Sequence, residues 1–371
     1  MFAITNARIL QNGQFTTGYD LLIEDGCIAG IVPQGQFTGP ATDVFGAYVT
    51  PGLIDMHIHG IAGHDTMQGA AAVKKMALAL IQHGVTAFLP STVPDTIANM
   101  RAAVTTLPAC ANGAEALGFH LEGPFVNPQQ KGALSQEYLL PPTIDVLEQI
   151  GTQNLRTVTM TPELEGAAAV AQYLQQKGIV VCAGHTAANA DAMRKATQFG
   201  FTHATHLYNG MPPMHHRAPG PVAAVLTTPN YSAEIIADGI HVGWEMIGLA
   251  MQCKPNLALV SDSIAATGLA DGEYVFAGQP ITVTNGTART AQGNLAGSTL
   301  TLNRAVKNLI EHNLCTPARA FAMATSIPAD TLHLPKHGKL QSGCFAHFVV
   351  WNDDITARSV YLAGRQVHYA H

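Results

Sequence analysis

Short apolar runs alternate with alanine-rich amphipathic stretches through the middle of the chain. The runs at 53–57, 86–90, 117–121, 157–161, 179–183, 203–206, 233–237 and 257–261 are short and apolar or rich in β-branched residues. That is the pattern of strands covered on both faces. The stretches 70–83, 96–106, 165–177, 189–199 and 243–253 place apolar residues at helical spacing. Eight β-then-α units over roughly 270 residues predict an α/β chain built on a (β/α)8 TIM-like barrel. A doubly wound open sheet is the rival, but no GxGxxG follows any of the runs. A further β patch at 274–284 predicts an inserted hairpin, and 300–312 a closing helix.

The two ends of the chain follow a different pattern. Runs at 2–10, 20–24 and 27–32 are separated by Asn-Gly and Asp-Gly turns, and similar runs lie at 347–351, 359–362 and 366–369. Neither end is large enough to bury a core alone. Together they predict one small β-sandwich domain, with 1–50 as its N-terminal part, 336–371 as its C-terminal part and 51–335 as the barrel.

Composition narrows the class. Of 371 residues 47% are apolar and 12% charged, a balance that excludes disorder. Nineteen Lys plus Arg against 25 Asp plus Glu leave a net charge of −6, so no basic field for nucleic acid exists. Mean hydropathy is +0.15, yet no run of about 18 consecutive apolar residues marks a membrane span. Asn6 and Arg8 stand where a signal peptide needs apolar residues, so a cytoplasmic protein is expected. Six scattered cysteines fit free thiols better than a disulfide frame. Seventeen histidines in so weakly charged a chain point to metal or proton chemistry.

In a (β/α)8 barrel the chemistry sits at the C-terminal ends of the strands. Six predicted strands end there on His or a carboxylate: Asp55 to His59, His120 to Glu122, His185, His206, Asp238 to His241, and Asp262. Alternate residues of a strand share a face, so His57 and His59 point inward together and can hold one divalent ion. His185 and His206 are the best separate ligand candidates and Glu122 the best anionic one. A carboxylate can bridge two ions, so one or two metals are possible. Zinc, iron, manganese and cobalt all suit nitrogen and carboxylate donors. Asp262, beside a metal-bound water, can take its proton and pass it to a leaving nitrogen. A plain ligand or a helix cap is the alternative role for Asp262. His64, His83, His312 and His371 read as structural or surface residues.

The motifs DMHIHG, HLEGPF followed by KGA, GHT, THLYNGM, HHRAPG, DGIHV, SDS and LAGS occur in order from about Asn6 to about Gln366. Together they resemble the amidohydrolase superfamily and, within it, the N-acetylglucosamine-6-phosphate deacetylase family. The resemblance implies hydrolysis of the acetamide of a phosphorylated amino sugar, with Glu122, His185 and His206 as the core ligands and Asp262 as the proton carrier. His57 and His59 are both retained, which leaves a second ion open. Strand four ends on Thr161 and Pro162 without a lysine, so Glu122 would be the bridge. On the substrate side it implies contacts from Ala133, Leu134, Asn209, Gly210, Arg217 and His241, and a closing loop of Leu295, Ala296 and Gly297. A planar guanidinium suits Arg217 to phosphate. At Leu134 many relatives carry a sugar-facing histidine; here hexosamine recognition is expected to be weaker or altered, or another residue such as Gln130 or Gln136 to serve. That leaves N-acetylgalactosamine 6-phosphate, or the substrate of another metal amidohydrolase acting on an acyl-amino acid or cyclic amide, as alternatives. The resemblance further implies a homodimer whose neighbouring copy contributes to the phosphate site.

Overall fold

A computed structural model describes residues 1–369; His371 lies outside them. Eight parallel strands form the barrel: β1 (Leu53–Ile58), β2 (Val85–Thr92), β3 (Phe119–Glu122), β4 (Leu155–Met160), β5 (Val180–Ala183), β6 (Phe201–Ala204), β7 (Ser232–Ile236) and β8 (Leu257–Val260). Each pairs with the next in sequence order. The barrel closes where the Asp262 amide donates to the His57 carbonyl at 2.9 Å, beside a parallel bridge from Ile58 to Ser263.

The surrounding helices form for local reasons. Val73, Met76, Ala77 and Leu80 bury one face of the helix Ala70–Ile81. Thr96 and Asn189 cap the helices Ile97–Thr105 and Ala190–Ala196 by accepting from backbone amides. Four further helices, Ile144–Ile150, Gly220–Thr227, Pro317–Met323 and Ser326–Thr331, complete the ring without having been marked by periodicity. They are six to eight residues long, and Gly220–Thr227 is apolar nearly throughout, so it has no polar face to read.

The chain ends pair as predicted. Phe348–Trp351 runs antiparallel to Tyr48–Pro51 inside a six-stranded sheet that draws strands from both termini. A four-stranded sheet, Phe2–Thr5 with Tyr19–Glu24, Cys27–Pro33 and Ala41–Asp43, packs on it around Ile4, Leu21, Ile23, Val49, Phe348 and Val350. Trp351 joins this domain to the barrel. Its indole donates to Thr50 Oγ1 at 2.8 Å, and its ring lies so near Gly84 (φ +73°) that a Cβ there would fall 2.3 Å from it. The insertion after β8 has three strands, Gly272–Phe276, Gln279–Thr284 and Thr287–Thr290, one more than the expected hairpin. It lies over the C-terminal mouth of the barrel, where the Gln279 amide donates to the Ala133 carbonyl. All six cysteines are unpaired. No described helix is long and apolar enough to cross a membrane.

Candidate metal centre and substrate cavity

Six side chains from five strand ends converge at the mouth. His57 and His59 alternate at the end of β1, and Glu122 is the last residue of β3. His185, His206 and Asp262 each lie two residues past their strand, with φ of 47°, 28° and 49°. Left-handed backbone is uncommon for such residues and costs about 1–3 kcal/mol each. Here it turns the chain so that the His185, His206 and Asp262 side chains point back toward Glu122 and the β1 histidines.

Glu122 stands at the centre. Its Oε1 lies 3.0 Å from His206 Nε2, 3.1 Å from His185 Nε2 and 3.5 Å from His57 Nε2, and its Oε2 lies 3.3 Å from His59 Nε2. Asp262 Oδ1 lies 3.2 Å from His59 Nε2 and 3.4 Å from His57 Nε2. The donor atoms fall into two compact groups, His57 with His59 and Asp262, and Glu122 with His185 and His206, each within 4.8 Å.

The outer contacts decide which ring nitrogens carry protons. His57 Nδ1 donates to Glu234 Oε2 at 3.0 Å, His59 Nδ1 to the Ser91 carbonyl at 3.2 Å, and His185 Nδ1 to the Gln130 carbonyl at 2.8 Å. In a neutral imidazole the other nitrogen then carries only a lone pair. Three Nε2 lone pairs therefore face carboxylate oxygens that also only accept. Such a set is stable only around positive charge, and its nitrogen and carboxylate donors match a divalent transition ion. The electrostatics agree. Burial disfavours charge on His57, yet Asp262, Glu122 and Glu234 hold it well above the imidazole range. His59 is likewise raised, to about 9, against its burial by hydrogen bonds to Asp262 and Glu122. Burial would raise Glu122 and Asp262, but the histidines, His57 foremost, hold both carboxyls below their usual range. His120, by contrast, is driven down to about 3 by burial and by His57, and bridges Ser91 and Thr159 as a neutral ring.

Above the cluster opens a cavity of about 220 Å³. His59, Glu122, His185, His206 and Asp262 form its floor; Ala133, Leu134, Asn209, Gly210, His241, Leu295 and Gly297 line its walls. His57 lies beneath, fully buried. His241 Nδ1 bonds Asp238 Oδ2 at 2.7 Å, and against its burial this contact raises the imidazole. Two expected contacts are not in the cavity. Ala296 is fully buried instead and packs with Ile264 and Ala288 under the insertion. Arg217 lies on an exposed stretch with a bridge from His215 to Ala218, and its Nη1 rests 2.7 Å from His216 Nε2. Gln130 offers the site its backbone carbonyl through His185.

Phe276 and Asn294 also line the cavity, and Phe276 stands edge-on to His59 at 5.2 Å between centroids. The sequence offered no signal for either. Glu234 was missed as well, although a lone acid inside the apolar run 233–237 was a legible one.

Residues 48–367 match the amidohydrolase family. An N-acetylgalactosamine-6-phosphate deacetylase of Escherichia coli O157:H7 is 36% identical over 368 residues, covering 96% of this chain and 97% of that protein. An N-acetylglucosamine-6-phosphate deacetylase of Lysinibacillus sphaericus is 33% identical, covering 93% of this chain and 92% of that protein. Among solved structures, a variant of the Mycobacterium smegmatis N-acetyl-D-glucosamine-6-phosphate deacetylase, in complex with N-acetyl-D-glucosamine-6-phosphate, superposes with a TM-score of 0.91. It is 30% identical, and the match covers 99% of each chain.

Proposed function

The chain belongs to the amidohydrolase family, and from that premise we propose that it hydrolyses the acetamide of N-acetylglucosamine 6-phosphate to glucosamine 6-phosphate and acetate. The observation that carries this reading is the convergence of Glu122, His59, His185, His206 and Asp262 on the floor of a cavity at the barrel mouth, with His57 directly beneath them. Glu122, His185 and His206 would hold one ion, and His57, His59 and Asp262 a second. Zinc is the proposed metal; iron, manganese and cobalt fit the same donors. A divalent ion bound there polarises the acetyl carbonyl and lowers the pKa of the attacking water toward about 7.

The protein's own groups do the rest. Asp262, ionised and facing the cavity, takes the proton of the water and delivers it to the amine nitrogen as the C–N bond breaks. His241, oriented by Asp238, and Asn209 with the backbone of Gly210 hold the sugar and its phosphate. Leu295 and Gly297 cover the ring. Removing the metal with a chelator and assaying acetate release from N-acetylhexosamines, with and without the 6-phosphate, tests the reading. Expected is metal-dependent release from the 6-phosphate and little from the free sugar. Equal release from both, or full activity after metal removal, would overturn it.

N-acetylgalactosamine 6-phosphate is the second reading. It is favoured by the name of the Escherichia coli relative and by Leu134, which cannot hydrogen-bond a sugar hydroxyl. The ratio of kcat/KM for the two epimers decides between them.

Arg217 lies outside its own cavity, and this supports a homodimer in which it reaches the phosphate of the neighbouring copy. Arg217→Ala is expected to raise KM for the phosphorylated sugar about tenfold to a few hundredfold, the worth of a charge-assisted fork. Turnover of the unphosphorylated sugar should barely change. Subunit exchange between Arg217→Ala and Asp262→Asn proteins should restore low-KM turnover, since one site of each hybrid is then intact. No restoration places the arginine in its own subunit's site or away from the phosphate.

A further inference from the structure

We infer that Glu234 is the positioning residue of the metal centre: it fixes His57 in the tautomer that presents Nε2 and clamps the backbone that carries His206. The inference rests on the metal-dependent reading above and adds a residue that is neither a proposed ligand nor part of the cavity lining. Glu234 is the only charged residue of β7 and is 1% exposed, and among the described residues its ion-pair partners are His57 and His203. A carboxylate so placed persists only if its oxygens are satisfied by donors. Three converge on it. His57 Nδ1 donates to Oε2 at 3.0 Å, the His206 amide donates to the same oxygen at 3.2 Å, and His203 Nε2 donates to Oε1 at 3.3 Å.

These bonds do separate work. The first places the His57 proton on Nδ1, so Nε2 faces His59, Glu122 and Asp262 as a lone pair. A carboxylate on the outer nitrogen also makes the inner one a stronger donor. The second holds the left-handed turn at His206, φ 28°, from which its ring reaches Glu122. One side chain on β7 thus ties a proposed ligand of each ion to the same rigid strand. His59 and His185 have only carbonyl partners on their outer nitrogens, so His57 alone receives the added basicity.

Glu234→Gln isolates the charge. A glutamine carbonyl can still accept from His57 and from the His206 amide. Its NH2 then faces His203, which can shift its proton to Nδ1 against Ser232 Oγ, 2.6 Å away. The fold should therefore survive, as circular dichroism and thermal melting of the metal-free protein will report. Metal-free wild-type protein titrated with Zn²⁺ against a chelating indicator is expected to take up two ions per chain. Glu234→Gln should bind the second ion about tenfold to a hundredfold more weakly and the first nearly as before. Unchanged affinities for both ions, or a single-ion wild type, would overturn the inference. A second readout does not depend on the variant folding. In the ¹⁵N-histidine NMR spectrum of the Zn²⁺-loaded wild type, the His57 ring, assigned by its loss in His57→Gln, should carry its proton on Nδ1. A proton on Nε2 would also overturn the inference. Neither readout involves acetate release, so failure of the proposed reaction and failure of this inference are told apart.

Discussion

Glu122→Gln protein is expected to hold less than one ion per chain and to turn over at least about 10³-fold more slowly than the wild type. The magnitude follows from the part the ion plays. Lewis-acid stabilisation by a bound ion is worth several kcal/mol, and each factor of ten in rate is about 1.4 kcal/mol. Glu122 contacts all four cluster histidines, through Oε1 to His57, His185 and His206 and Oε2 to His59. Glutamine keeps the shape but replaces one oxygen by an NH2. That group donates hydrogen bonds to the very lone pairs that would bind metal, so the variant satisfies the site without an ion. Elemental analysis and acetate release on one preparation check this. Two ions per chain with a modest loss of turnover would show that Glu122 does not bridge them.

The barrel and its floor were legible because both depend on short-range pattern. Apolar runs of strand length mark the barrel, and the chemistry of a barrel gathers where those runs stop. His57 and His59 could be placed on one face from a period of two alone. What the sequence concealed depends on which distant segments meet. Glu234 is a single acid in an apolar strand, and its partner His57 is 177 residues away. The left-handed turns at His185, His206 and Asp262 carry no glycine to announce them. Ala296 and its neighbours Leu295 and Gly297 look equivalent as a motif, yet Ala296 is buried under the insertion while the other two line the cavity. Arg217 has the chemistry of a phosphate fork, and only the structure shows that it does not line its own cavity. Phe276 enters the wall because the insertion folds back over the mouth, a tertiary contact with no local signature.

Asp262→Asn is expected to cut turnover by about 10²–10⁴ while the ion held by Glu122, His185 and His206 stays in place. The range is what general acid–base catalysis contributes when the proton carrier is positioned. Asparagine can keep Oδ1 toward His57 and His59, 3.4 and 3.2 Å away in the wild type, but its amide takes no proton at neutral pH. In the wild type, against its burial, His57 and His59 hold this carboxyl below its usual range, so it is ionised and carries no proton of its own. KM should change little, since the proposed sugar contacts belong to His241, Asn209 and Gly210. A second ion, for which Asp262 is a proposed ligand, should bind more weakly. Metal content and turnover must therefore be read on the same sample, with single-turnover acetate release measured at saturating Zn²⁺. Loss of the first ion together with activity would make Asp262 a required ligand before anything else. Near-normal turnover in a fully loaded Asp262→Asn protein would move the proton carrier elsewhere. His241 is the next candidate, because it lines the same cavity and its imidazole is already raised by the bond to Asp238.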